Sequence, residues 1–159
     1  MWIFISKAFT LNKGEAMKRQ DLRKYAFLIT FGRSISFDSP EEALANFLET
    51  FRDDYEKENG KFSKNNLEFV KDIIFGIHKN IEVIDETIVK YAKGYTLERI
   101  SKVALAALRV SIYEILFRED IPNKVSVNEA VEIVKTYEGE ETKKFVNGIL
   151  GNMLRTEEK

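Results

Sequence analysis

Apolar residues recur three or four apart along almost the whole chain, and no run of five or more strictly alternating residues reads as a strand. This pattern predicts an all-α fold. The stretch DLRKYAFLITFGR sets Leu22, Tyr25, Ala26, Ile29 and Arg33 along one stripe of a first helix that ends between Gly32 and Ser36. Ser39-Pro40-Glu41-Glu42 then supplies an N-cap, a proline at the first helical position and a capping-box partner. These open a second helix, running to about Glu56, with Ala43, Leu44, Phe47, Leu48 and Phe51 as its core stripe. After the turn-like ENGKFS, Ser63 caps a third helix through Leu67, Val70, Ile74 and Ile77. The register shifts near Asn80, and Ile81, Ile84, Ile88 and Tyr91 stripe a fourth helix closed at Lys93-Gly94.

A fifth helix, with Thr96 as its cap, reads LERISKVALAALRVSIYEILFR. Between Val103 and Phe117 it is apolar nearly all round, which predicts a central element covered on several sides. Arg109, Ser111 and Glu114 interrupt it, so it is no membrane span, and the roughly 20-residue apolar stretch that a span requires occurs nowhere. Asp120-Ile121-Pro122 breaks the chain, because proline disfavours helix at the residue before it. Ser126 and Glu129 read as a second capping box opening a sixth helix, with Val127, Ala130, Val131 and Val134 on one face, ended by Glu138-Gly139. The last helix starts near Thr142 and buries Val146, Ile149, Leu150 and Met153. Seven helices with short connections predict a compact bundle in two small groups around the buried fifth helix.

Composition narrows the chemistry. A chain of 159 residues, 44% apolar and 32% charged, fits one ordinary globular domain. It contains no cysteine and one histidine, His78, so disulfides, thiolate chemistry and Cys- or His-type metal sites are excluded. A cytoplasmic protein without metal or cofactor is the expectation. The opening MWIFISKAFTLNKGEA lacks the basic start of a secretion signal. Met17 directly precedes a better helix start, so the domain is expected over residues 17–155, with residues 1–16 as a weakly ordered extension or an upstream-start artefact.

Charge is uneven. Residues 1–33 carry seven basic side chains (Lys7, Lys13, Lys18, Arg19, Arg23, Lys24 and Arg33) against Glu15 and Asp21, a net of +5. The whole chain is −1, which leaves −6 on the remainder. A basic end on an acidic body suits a localised phosphate contact better than general polyanion binding, although a solvated helix end would look the same. No Gly-rich phosphate loop, metalloprotease pair or serine elbow is present, and the acidic residues lie along helix faces where solvation accounts for them. No catalytic constellation emerges.

The closing segment KKFVNGIL has helical apolar spacing, yet carries Asn147 and Gly148 at its centre. Glycine within a helix costs about 1 kcal/mol relative to alanine, so close packing through Gly148 is the expected compensation. The order IPNKVSVNEAVEIVKTY, a short acidic turn, then KKFVNGIL resembles the NusB family of bacterial transcription antitermination factors. The resemblance rests on Ile121-Pro122, Lys124-Val125, Asn128-Glu129-Ala130 and Lys144 to Gly148, and extends upstream through Leu108-Arg109, Tyr113-Glu114 and the basic first helix. It covers residues 17 to about 154.

The resemblance implies an all-helical protein that binds the single-stranded boxA element of nascent ribosomal RNA. It would do so together with the small-subunit ribosomal protein NusE, in an antitermination complex with RNA polymerase. It assigns RNA contact to a basic arm at Lys18, Arg19, Arg23 and Lys24, to the first-helix aromatic Phe31, and to Lys144 and Phe145. It also marks Asn128, Asn147 and Gly148 as motif positions; on their chemistry alone, Asn128 would bond backbone at its own helix start and Asn147 a neighbouring helix end. Gln20 and Asp21 interrupt the arm, and Phe31 stands where some relatives have tyrosine. Unpaired bases stacking on aromatics, with cations fixing the backbone, is the expected physics of such a site. Four arm cations would give a log-log salt slope of about −3. Phe31 and Phe145 also fit plain core positions. A helical protein-interaction module without RNA binding is the alternative, and the chain has no room for the methyl-donor domain of the ribosomal RNA methyltransferases that carry a similar helical domain.

Overall fold

The computed structural model describes residues 17–52, 56 and 63–156, without the side chains of residues 51 and 52. The expected extension over residues 1–16, the ENGKFS turn before Ser63, the end of the second helix and the core position of Phe51 lie outside the described residues. Seven α-helices occur among the described residues, and no strand: α1 Arg19–Ser36, α2 Pro40–Phe47, α3 Lys64–Lys79, α4 Ile81–Tyr91, α5 Lys102–Phe117, α6 Asn123–Glu138 and α7 Glu140–Thr156. The chain forms two units, residues 1–74 and 75–159, with the boundary inside α3.

In the first unit, α1 is buried on almost every side from Ala26 to Thr30, so it forms the unit's core against α2. Ser39 caps α2 as the sequence predicts: its hydroxyl accepts from the Glu42 amide at 3.1 Å, and the Glu42 carboxylate accepts from the Ser39 amide at 3.1 Å. The helix buries Ala43, Leu44 and Phe47, then loosens into a π-helical turn over Leu48–Arg52. Ser63 caps α3 by accepting from the Asn66 amide at 3.1 Å.

In the second unit α5 packs against α4, α6 and α7, and every residue from Ala104 to Ile115 except Arg109 is buried. Its cap differs from the prediction. Thr96 opens only a 3₁₀ turn, Leu97–Arg99, because the buried Ile100 holds the chain extended; Ser101 caps the helix by accepting from the Ala104 amide at 3.1 Å. The Ser101 hydroxyl also bonds the carboxylate of Glu138 at the far end of α6. The sixth helix, by contrast, begins earlier than expected. Pro122 occupies the cap position, since proline restricts the residue before it and leaves the next free to start a helix. Ser126 therefore sits buried in the first turn, where its carbonyl accepts from the Ser111 hydroxyl at 3.1 Å, and Asn128 is exposed on the following turn rather than at a helix end. Gly139, at φ +88°, turns the chain directly into α7 two residues before the expected start.

One close approach depends on glycine. A methyl group placed on Gly76 would lie 2.3 Å from the ring of Tyr113, a buried side chain stacked on Phe117 at 5.6 Å. Gly76→Ala is expected to destabilise the protein by about 1–3 kcal/mol, because the ring must move within a packed interior. A chemical-denaturation midpoint at or above that of the parent protein would contradict this.

Candidate nucleic-acid interface

The first candidate element is the N-terminus of α1. Lys18 sits at the cap position in extended backbone, and its amide donates to the Asp21 carboxylate at 3.1 Å. Asp21 thus closes the first turn and complements the helix dipole, so it supports the arm that the sequence reading saw it interrupt. Lys18 and Arg19 are exposed, and Lys24 is half-buried. Cations at a helix N-terminus oppose the dipole, and an anion bound there would satisfy both.

Arg23 departs from its expected place in the arm. Only 4% of it is exposed, and its guanidinium lies 5.8 Å from the centroid of the Phe69 ring, while that of Arg19 lies 5.1 Å from the same ring. Packing against the helix leaves Arg23 too little surface to serve as an open phosphate contact. Phe69, itself buried, is a support that sequence reasoning missed: cation–π attraction to a distant ring leaves no periodic signal. Phe31 lies 13 residues beyond Lys18, about 20 Å along the helix axis, so the structure does not bring it to the arm. It is half-buried and stacks on Phe27 at 6.3 Å with an interplanar angle of 22°.

The second element is on α7. The buried side of this helix is Val146, Ile149, Leu150 and Met153, which turns Lys144, Asn147 and Gly148 to the exposed side and leaves Phe145 half-buried between them. The expected close packing at Gly148 is absent, since a methyl group there would meet no described atom within 4 Å. Asn147 is exposed, and among the described residues its side chain bonds no neighbouring helix end. Phe145 instead meets Tyr95 edge-on, with ring centroids 5.0 Å apart at 63°. Tyr95, 48% exposed, went unnoticed in the sequence because it lies in a loop with no stripe to mark it.

Arg109 makes a bidentate pair with Asp85, both contacts at 2.9 Å, which gives a partly shielded charge on the central helix its partner. Burial pushes the Tyr137 hydroxyl up to about 12, so it stays neutral. Among the described residues no three His, Asp or Glu side chains are grouped to hold a metal ion, and no helix is long and apolar enough to cross a membrane.

Helices are the regular elements among the described residues, two of them displaying cations and rings, and they define a small all-α protein. The NusB family model matches residues 20–155. A transcription antitermination protein NusB of Acetivibrio thermocellus is 43% identical over 139 residues, 87% of this chain and 90% of the relative. Among solved structures, T. maritima NusB superposes with a TM-score of 0.76 at 31% identity, covering 89% of this chain and 93% of that one. A crystal structure of antitermination factors NusB and NusE in complex with dsRNA gives a TM-score of 0.74 at 27% identity, covering 87% and 96%. The chain belongs to the NusB family.

The open surroundings of Gly148 reverse the expectation for its substitution. Gly148→Ala should raise stability by about 1 kcal/mol, the ordinary helix preference at an uncrowded site. A lowered denaturation midpoint would show that the position is packed.

Proposed function

We propose that this chain is a transcription antitermination factor that binds a boxA-type single strand of nascent ribosomal RNA jointly with NusE, within the antitermination complex of RNA polymerase. It works by binding, without catalysis, in the cytoplasm, and residues 17–155 form the working domain. The observation that carries this reading is the exposed side of α7. The motif of Lys144 to Gly148 spends helix stability on an uncrowded glycine beside a lysine and a partly open ring, an arrangement that suits a nucleic-acid backbone in close approach.

The proposed contacts follow from exposure. Lys18, Arg19, Lys24 and Lys144 meet phosphates, while Phe31 and Phe145 stack on bases. Arg23 acts by packing, which removes one cation from the arm and lowers its contribution to the log-log salt slope to about −2. So few cations give modest affinity, and NusE supplies the remainder.

Fluorescence anisotropy with a labelled boxA-type single strand, with and without NusE at two salt concentrations, tests the reading. Binding should tighten with NusE, weaken with salt, and fall in a Lys18→Ala/Arg19→Ala double variant with a shallower salt slope. The same sequence as a duplex forms the comparison arm. No measurable binding of either form, with or without NusE, would leave the protein-interaction module as the better account.

A further inference from the structure

We infer that Tyr95 and Phe145 form a two-walled aromatic notch that receives one unpaired nucleobase, which makes Tyr95 a base-contacting residue. This rests on the RNA-binding reading above. The loop after α4 is shaped for the contact. Lys93 and Gly94 take successive left-handed conformations, φ 42° and 93°, the first of them unfavourable for a residue with a side chain. The turn they make lets the Tyr95 amide donate to the Ala92 carbonyl at 3.4 Å and brings its ring to Phe145.

The edge-on arrangement matches the quadrupoles of the two rings, yet the pair is not sealed in a core: Tyr95 is about half open and Phe145 is half-buried. Two rings inclined at 63° leave a corner in which a flat heterocycle can stack on one and turn its edge to the other. Charged side chains of both signs flank the rings, Glu98 and Glu141 among them, and the two lysines suit a nucleic-acid backbone better than an apolar peptide. Lys93 lies two residues before Tyr95, Lys144 immediately precedes Phe145, and both are exposed. A base in the notch would have its flanking phosphates within the reach of two cations on different elements.

The experiment compares the parent protein, Tyr95→Ala and Tyr95→Phe with NusE and a boxA-type single strand at several salt concentrations. Loss of one stacking wall should weaken binding about tenfold in Tyr95→Ala, whereas Tyr95→Phe, which keeps the ring, should stay within about twofold of the parent. The salt slope should be unchanged, since no cation is removed. In parallel, 2-aminopurine is placed at successive positions of the strand. One position should be quenched by the parent and by Tyr95→Phe, and released with Tyr95→Ala. Unchanged affinity in Tyr95→Ala, equal weakening in Tyr95→Phe, or quenching that persists without the ring would overturn the notch while leaving RNA binding intact. A parent protein that binds no RNA would overturn the reading beneath it.

Discussion

A helix that is apolar around nearly its whole circumference can persist in water only if other elements cover every side of it, and α5 imposes that demand on the second unit. Leu108, Ile112 and Ile115 are fully buried, each contributing about 2 kcal/mol by removal from water. Cover comes from α4, α6 and α7, and the covering helices have no freedom to choose which face turns inward. For α7 that face is Val146, Ile149, Leu150 and Met153. With these four committed inward, Lys144, Asn147 and Gly148 must face out, and Phe145 must lie at the margin. The display of the motif is thus a geometric consequence of burial on the opposite side of the same helix.

Hydrophobic cover is non-directional, so polar ties set the register. Arg109 and Asp85 clamp α5 to α4 through two parallel hydrogen bonds, partly shielded from water; removing either partner would strand a half-buried charge. Ser111 reaches the Ser126 carbonyl and joins α5 to α6. Ser101 caps α5 while holding the last residue of α6. The first of these ties has reach beyond the core. Fixing α4 on α5 also fixes where α4 ends, and therefore where the Lys93-Gly94 turn delivers Tyr95.

Helix content and inward faces were legible in the sequence because each helix records its own burial in its own periodicity; the stripes of α4 and α7 needed no knowledge of their neighbours. The caps were legible only where a side chain served the backbone next to it, as at Ser39 and Ser63. Ser126 has the residue type and spacing of a cap, but the space between two helices claimed it instead. Of the site, the residue types on α7 were readable and their surroundings were not. Gly148 has the sequence setting of a packing glycine, whereas a ring crowds Gly76, because the difference lies in Tyr113, 37 residues away in the chain. Arg23 and Phe69, or Tyr95 and Phe145, meet through folding alone, and nothing local announces such pairs.

Folding preference alone would favour different residues at both candidate elements. It would place acidic side chains at the start of α1, where the dipole rewards them, and alanine at position 148, where a methyl group meets nothing. The chain has Lys18 and Arg19 at the first and glycine at the second. Each departure costs stability on the order of 1 kcal/mol or less, which a domain with this much buried apolar surface absorbs. Under the proposed RNA-binding function the two share one chemical sense: exposed cations would offer charge to an anionic chain, and a missing side chain would let such a chain lie against the helix. Asp21 fits the same logic, since it restores one favourable dipole contact at the start of α1 without displacing the cations beside it.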